Sequence, residues 1–126
     1  MQWTANFQKR RVTNLGGTSH IGAEWYKSNW LGNFYQSPSI WLYHSKLGWV
    51  FPSQENESDL WLWSPQLEWL WLEKETFLKS FAWSLAESDW IFFEFKTVPS
   101  RLYHYSSGTW KDFEKDKKIH LLESIF

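Results

Sequence analysis

The chain contains no cysteine, so neither a disulfide framework nor a thiolate metal site is available to it. It also has no apolar run near the roughly 18 residues that cross a bilayer. Its first residues lack the charged start and apolar stretch of a signal peptide. We therefore expect no transmembrane segment and no signal peptide in this chain, and the compartment stays open.

An excess of charge of either sign is missing as well. Thirteen basic residues stand against fourteen acidic ones, which leaves a net charge of −1. A protein that binds nucleic acid usually carries a basic face, so we expect no nucleic-acid partner. The length of 126 residues suits a single domain that encloses its own core.

Tryptophan is the residue that the chain has in excess, and its positions reveal a repeat. Aromatic residues make up 21% of the chain, with twelve tryptophans among them. Residues 41–51 align on residues 61–71 with an offset of twenty, and Trp, Leu, aromatic, Leu, Trp, aliphatic and aromatic recur in the same order. The tryptophans that close successive units continue the period along the chain. They are Trp30, Trp49, Trp69, Trp90 and Trp110.

Each unit has the pattern of a β-hairpin. Aromatic and β-branched residues, which favour strands, flank a short turn. Gly48 suits a turn position with positive φ, and Pro65 suits the second position of a type I turn. The Pro- and Ser-containing stretches 36–39, 52–58 and 96–100 are predicted to be linkers between hairpins and not helices.

These observations predict an all-β fold, an antiparallel meander of about five hairpin repeats with eight to ten strands in all. Because aromatic and aliphatic residues alternate, both sheet faces are apolar, which favours a curled or solenoid-like arrangement. We divide the chain into an N-terminal segment (1–22), the repeat domain (23–113) and a short C-terminal helix packing on it (114–126). Helices are expected only at the ends, and Trp49 and Trp69 are expected to be largely buried.

The central units also resemble a known module. Residues 30–34, 41–51, 61–71, 89–93 and 103–110 are similar to a Trp-rich module found at the C-termini of uncharacterised proteins from marine and other environmental bacteria. Glu68 stands where that pattern usually has Gly. The resemblance covers roughly residues 25–110 and implies an architecture but no reaction. A looser analogy connects the hairpins to the choline- and glucan-binding repeats of cell-wall proteins.

Residues that could carry catalysis or bind a metal are scattered. A metal site needs ligands brought together, and a triad needs a nucleophile, a base and an acid in contact. The acids of residues 55–59 lack calcium-loop spacing and fit a solvated loop. We therefore predict no enzyme activity, no metal and no cofactor. The residues considered were His20, His44, His104, His120, Glu55, Glu57, Asp59, Ser45, Ser64 and Ser106.

The aromatic excess leaves two functional interpretations. One is a non-catalytic binding module for carbohydrate or a cell-envelope polymer, which would show exposed coplanar rings beside polar groups. The other is a structural or protein–protein interaction module, which would show an apolar patch at an open end of the array, in a monomer or a homodimer. The candidate ligand-binding rings come from the least regular positions: Trp25, Tyr35, Tyr43, Trp63 and Tyr103.

Overall fold

A computed structural model describes residues 18–54 and 56–116, and within them it shows an all-β meander. Each strand pairs antiparallel with the next along the chain, which confirms the predicted topology. No helix in this part of the chain is long and apolar enough to span a bilayer. The strands are β1 (Ser19–Gly22), β2 (Trp25–Ser28), β3 (Gly32–Gln36), β4 (Leu42–His44), β5 (Gly48–Gln54), β6 (Asp59–Ser64), β7 (Glu68–Glu73), β8 (Phe81–Ser84), β9 (Asp89–Glu94), β10 (Ser100–His104) and β11 (Thr109–Phe113).

The sheet folds back on itself at β5. The first residues of β5, 48–50, pair with β4, whereas its last residues, 51–54, pair with β6. The halves on either side of this corner meet across one core. The ring of His44 in the first half lies 6.1 Å from that of Phe77 in the second. The Trp30 indole donates a hydrogen bond of 3.2 Å to the Glu57 carbonyl oxygen.

The residues that fill this core are mainly aliphatic. They come from alternate strand positions, so they project from the inner face of both halves. Most are less than 2% exposed and form one contiguous cluster. The principal members are Phe34, Leu42, Val50, Leu60, Leu62, Leu70, Leu72, Ala82, Ile91, Phe93, Leu102 and Phe113.

The prediction that Trp49 and Trp69 are largely buried is wrong. Both side chains lie on the outer face and are only partly buried. Leucine fits between two facing sheet halves without any polar atom, whereas an indole N–H needs a partner that the surface supplies. Trp30 does reach the core and is 4% exposed, whereas Trp41, 9% exposed, packs on Phe51 and Trp63 of the outer face.

Small polar residues buried at the inner face close the hairpin turns. Ser64 Oγ accepts hydrogen bonds from the backbone N–H groups of Gln66 and Leu67, both at 3.2 Å. The residues that open the neighbouring turns are also buried, and from His44 onward they recur every twenty positions. All but His104 accept hydrogen bonds from turn N–H groups, whereas His104 Nδ1 contacts the Glu87 carboxylate. The set is Ser28, His44, Ser64, Ser84 and His104.

The residue that ends each turn has a positive φ. Gly48 has φ 80°, as predicted, and Glu68 adopts φ 63° in the corresponding place. Gly48 is required for a second reason, because a Cβ there would lie 2.5 Å from the Lys115 carbonyl oxygen. That contact belongs to residues 114–116, which follow β11 and cross the β4–β5 turn. There the Lys115 ammonium donates to the Ser45 carbonyl oxygen at 2.7 Å.

Replacing Glu68 by glycine is expected to stabilise the domain. A side chain in the left-handed region costs about 1–2 kcal/mol, and glycine recovers part of it against its greater freedom when unfolded. We expect the free energy of unfolding to rise by about 0.5–1 kcal/mol relative to Glu68→Ala. The alanine variant also removes the carboxylate, so the pair isolates the backbone effect. If Glu68→Gly and Glu68→Ala were equally stable in urea melts, the claim that the positive φ at residue 68 strains the backbone would be contradicted.

Three further expectations are corrected or lie outside the described residues. Within the described residues the meander has eleven strands and not eight to ten, because residues 19–22, predicted to lie outside the repeat domain, join it as β1. A helix, α1 (Lys74–Leu78), lies mid-chain and not at an end. It begins at Glu73, whose carboxylate accepts from the N–H groups of Glu75 and Thr76. The expected C-terminal helix lies mostly in residues 117–126, outside the described residues, as do residues 1–17.

Candidate ligand-binding surface

The outer face of the sheet carries rows of aromatic side chains that face one another across the strands. Cross-strand partners on this face are aromatic along most of the meander. Most of these rings are partly buried, because neighbouring side chains cover their sides while the surface that points away from the sheet is exposed to solvent. The rows are Trp25–Tyr35–Tyr43–Trp49, Phe51–Trp63–Trp69, Trp61–Trp71–Trp83–Trp90 and Phe81–Phe92–Tyr103–Trp110.

The structure brings three of the five predicted site residues together. Trp25 lies 5.8 Å from Tyr35 and 6.5 Å from Tyr43, between ring centroids. Trp49 completes this group, 5.3 Å from Tyr43. We call these four residues the β2–β5 cluster. Their rings meet at 51° to 83°, so they pack edge to face and offer no flat platform.

The polar end of Tyr43 is already engaged. Its hydroxyl donates to the Asp116 carboxylate, and the Lys115 ammonium lies 5.6 Å from the ring centroid. Partial burial, together with the hydrogen bond to Asp116 and its negative charge, raises the pKa of Tyr43 to about 12. The hydroxyl therefore stays protonated and committed to Asp116, which leaves Tyr43 poorly suited to bind a ligand.

The other two predicted residues lie apart from this cluster. Trp63 is partly buried on β6, with its ring 6.0 Å from that of Trp41. Tyr103 lies at the far end of the meander, where its ring is 4.7 Å from Tyr105 and 5.2 Å from Trp110. We call Tyr103, Tyr105 and Trp110 the β10–β11 cluster.

The β10–β11 cluster contains the most open rings of the outer face. Tyr105 is 47% exposed and Trp110 is 46% exposed. The guanidinium of Arg101 lies 4.6 Å from the Trp110 ring centroid, so one ring face is shared with a cation. Exposed rings beside polar groups are what a carbohydrate or protein partner would contact.

A cleft of about 270 Å³ opens beside this cluster. Its walls are the rings of Phe81, Trp90 and Tyr105, and its polar groups come from Asp89 and Thr76. The rings of Phe81 and Tyr105 lie 6.3 Å apart and are inclined by only 30°, a smaller angle than within the β2–β5 cluster. A larger space of about 420 Å³ lies against Phe95, Phe113 and Lys115, but polar residues make up most of its lining, whereas three aromatic rings form most of the smaller cleft.

The sequence reasoning missed the residues of this cleft. Phe81 and Trp90 occupy regular repeat positions, so a packing role accounted for them. Tyr105 was the available signal, since it follows the turn-opening residue where the two preceding tight turns have Pro65 and Leu85. A tyrosine at the tip of a turn has no core to enter and must face solvent.

A second group of polar residues lies at the β8–β9 and β10–β11 turns. Glu87 accepts from Ser106 Oγ at 2.6 Å and is 2.7 Å from His104 Nδ1. Partial burial opposes ionisation of Glu87, but the hydrogen bonds from Ser106 and His104 outweigh it and lower the pKa of the carboxyl. Both partners contact the carboxylate and not each other, so no nucleophile–base pair forms. The described residues contain no group of His, Asp and Glu arranged to hold a metal ion.

The chain matches no protein-family model, no curated protein and no solved structure.

Proposed function

We propose that this domain is a non-catalytic binding module, with carbohydrate as its ligand class and the β8–β11 end of the outer face as its binding surface. The observation that carries the proposal is the cleft in which Phe81, Trp90 and Tyr105 stand beside Asp89 and Thr76. Aromatic rings stack on the apolar faces of sugar rings, and side-chain oxygens satisfy the hydroxyls at their edges.

Two features of the structure favour this end over the β2–β5 cluster. The rings here are more open, with Tyr105 and Trp110 almost half exposed. The β2–β5 rings cover one another edge to face, and the hydroxyl of Tyr43 is held by Asp116. A sugar approaching the β2–β5 cluster would have to displace these internal contacts, whereas at the β8–β11 end it would bind to surfaces already open.

The alternative is a protein–protein interaction module, and one observation favours it. The same exposed rings, Tyr105 and Trp110, lie beside β11, which pairs only with β10 within the described residues. An aromatic patch next to a sheet edge is suited to the addition of a strand from a partner. This interpretation predicts that Trp110 contributes to binding and that soluble sugars do not compete.

Titration with oligosaccharides separates these functions. We expect a saturable change in tryptophan fluorescence with at least one of a panel of cello-, xylo- and chito-oligosaccharides. Tyr105→Ala should weaken that binding about ten-fold, which corresponds to about 1.4 kcal/mol. Tyr35→Ala, in the β2–β5 cluster, is the matched control and should leave the affinity unchanged.

Two results would count against the proposal. A panel without any saturable response would favour the interaction module. A loss of binding in Tyr35→Ala but not in Tyr105→Ala would move the site to the β2–β5 cluster.

A further inference from the structure

The polar side of the cleft consists largely of hydrogen-bond acceptors. One carboxylate oxygen of Asp89 accepts from the backbone N–H of Trp90 at 2.8 Å. Among the described residues no basic side chain pairs with this carboxylate. The hydroxyl of Thr76 donates its proton to the Glu73 carbonyl oxygen at 3.1 Å, so only its lone pairs remain for a ligand. A ligand that satisfies this wall must bring donors, and a positive charge would complement the carboxylate.

The size and the rings of the cleft restrict the ligand further. A volume of about 270 Å³ lies just below the roughly 300–1,000 Å³ that holds a drug-sized ligand. A single sugar ring suits this space. A quaternary ammonium group would satisfy the aromatic rings through cation–π contacts. It has no N–H, however, and would leave the oxygens of Asp89 and Thr76 without a donor.

We propose that the cleft binds a hexosamine residue whose amino group is free and protonated, within a glycan chain. The apolar face of the sugar packs on the rings of Phe81, Trp90 and Tyr105, and its ammonium group pairs with Asp89. This inference rests on the proposed carbohydrate-binding function and adds the substrate class. An N-acetylated sugar has no charge at this position, so it binds more weakly.

The test compares three hexamers with the same β-1,4-linked backbone. They are the glucosamine hexamer, its fully N-acetylated counterpart and the neutral glucose hexamer, measured by calorimetry on the full chain. The titrations are made at pH 6 or slightly below, so that most of the sugar amines carry a proton. We expect the glucosamine hexamer to bind at least ten-fold more tightly than either of the others, and added salt to reduce the difference.

Asp89→Asn is the decisive variant, because asparagine keeps the acceptor for the Trp90 N–H and removes only the charge. It should bring the affinity for the glucosamine hexamer down to that of the neutral hexamers. The matched control is Asp112→Asn, which removes an exposed carboxylate from β11 outside the cleft. Tyr105→Leu is a second variant and should weaken all three hexamers about equally.

Each outcome bears on one of the two proposals. Equal binding of all three hexamers, unaffected by Asp89→Asn, would overturn the amino-sugar inference and leave carbohydrate binding intact. The inference would also be overturned if Asp112→Asn reduced the preference for the glucosamine hexamer as much as Asp89→Asn does. That result would indicate non-specific electrostatic attraction to surface carboxylates and not binding in the cleft. Failure of every hexamer to bind would remove the inference together with the proposed function.

Discussion

Replacing Phe93 by alanine is expected to lower the free energy of unfolding by about 3–5 kcal/mol. Phe93 is 1% exposed on the inner face of β9. Its ring packs 6.0 Å from Phe77 of helix α1 and 5.3 Å from Phe95. Truncation removes a buried ring from the shared core of the two sheet halves and leaves a cavity that they cannot readily close. Denaturant unfolding followed by far-UV circular dichroism measures the loss.

Phe92 offers a matched control, since it is the same residue type one position earlier on the same strand. Its side chain projects from the outer face, where it is only partly buried against Phe81 and Trp110. We expect Phe92→Ala to cost clearly less than Phe93→Ala, because part of its surface is already in water. Equal losses in the two variants would contradict the assignment of the core to the inner face.

The hairpins and their order could be predicted from the sequence because their determinants are local. Alternating apolar residues mark the strands, and Gly48 marks a turn that needs a positive φ. Which face becomes the core is decided by contacts between strands far apart in the chain. The switch of pairing within β5 places leucines of both halves in one core, and Pro52 at this point indicates a linker and not a bend within a continuous strand.

The spacing of the two buried histidines contains a regularity that alignment on the closing tryptophans hides. Aligned on Trp49 and Trp110, His44 and His104 fall one position apart. In the structure both open a turn, but His44 pairs with Gly48 whereas His104 pairs with Thr109, so the second loop is longer. Aligned from the strand side, the turn-opening residues recur every twenty positions, with Ser64 and Ser84 between the two histidines. His44 caps its turn through Nδ1, as Ser64 does through Oγ, whereas His104 Nδ1 contacts Glu87 of the β8–β9 turn.

The candidate site was predictable only in its chemistry. An excess of aromatic rings indicates that some must remain exposed, and the exposed ones are Tyr105 and Trp110, while the predicted Tyr103 beside them is partly buried. Which rings remain open depends on how neighbours cover one another. Trp25, Tyr35 and Tyr43 gather as the irregular positions suggested, yet their edge-to-face packing uses the surfaces that a ligand would need. The cleft itself needs α1 beside β8, and that helix was not predicted.

Acidification is expected to destabilise the domain through His44, whose ring is enclosed by the β4–β5 turn. Its Nδ1 accepts from the N–H groups of Lys46 and Leu47 at 3.1 Å and 3.2 Å. Nε2 must then carry the proton, which it donates to the Leu31 carbonyl oxygen at 2.6 Å. A second proton on Nδ1 would break both turn contacts. The neutral form of the ring is therefore the one that this packing accommodates.

The pKa of His44 follows from this enclosure. Burial of the ring is the largest cause and lowers the pKa from 6.5 to about 4, opposed by the hydrogen bond to Leu31 and assisted by the positive charges of Lys46 and Lys115. Between these two pH values His44 is protonated in the unfolded chain but neutral in the folded chain. The free energy of unfolding therefore falls as the pH falls. The loss should approach about 3 kcal/mol by pH 4, at about 1.4 kcal/mol per unit.

His44→Ser provides the comparison, because serine opens the equivalent turns at Ser64 and Ser84 and cannot titrate. The variant will be less stable at pH 7, since the smaller side chain leaves space beside Phe77 and loses the contact with Leu31. Its stability should nevertheless fall less steeply in urea melts between pH 7 and pH 4, so that the two curves converge by about 3 kcal/mol. Parallel curves would show that His44 is protonated without disrupting the turn. They would contradict the claim that His44 caps the β4–β5 turn only in its neutral form.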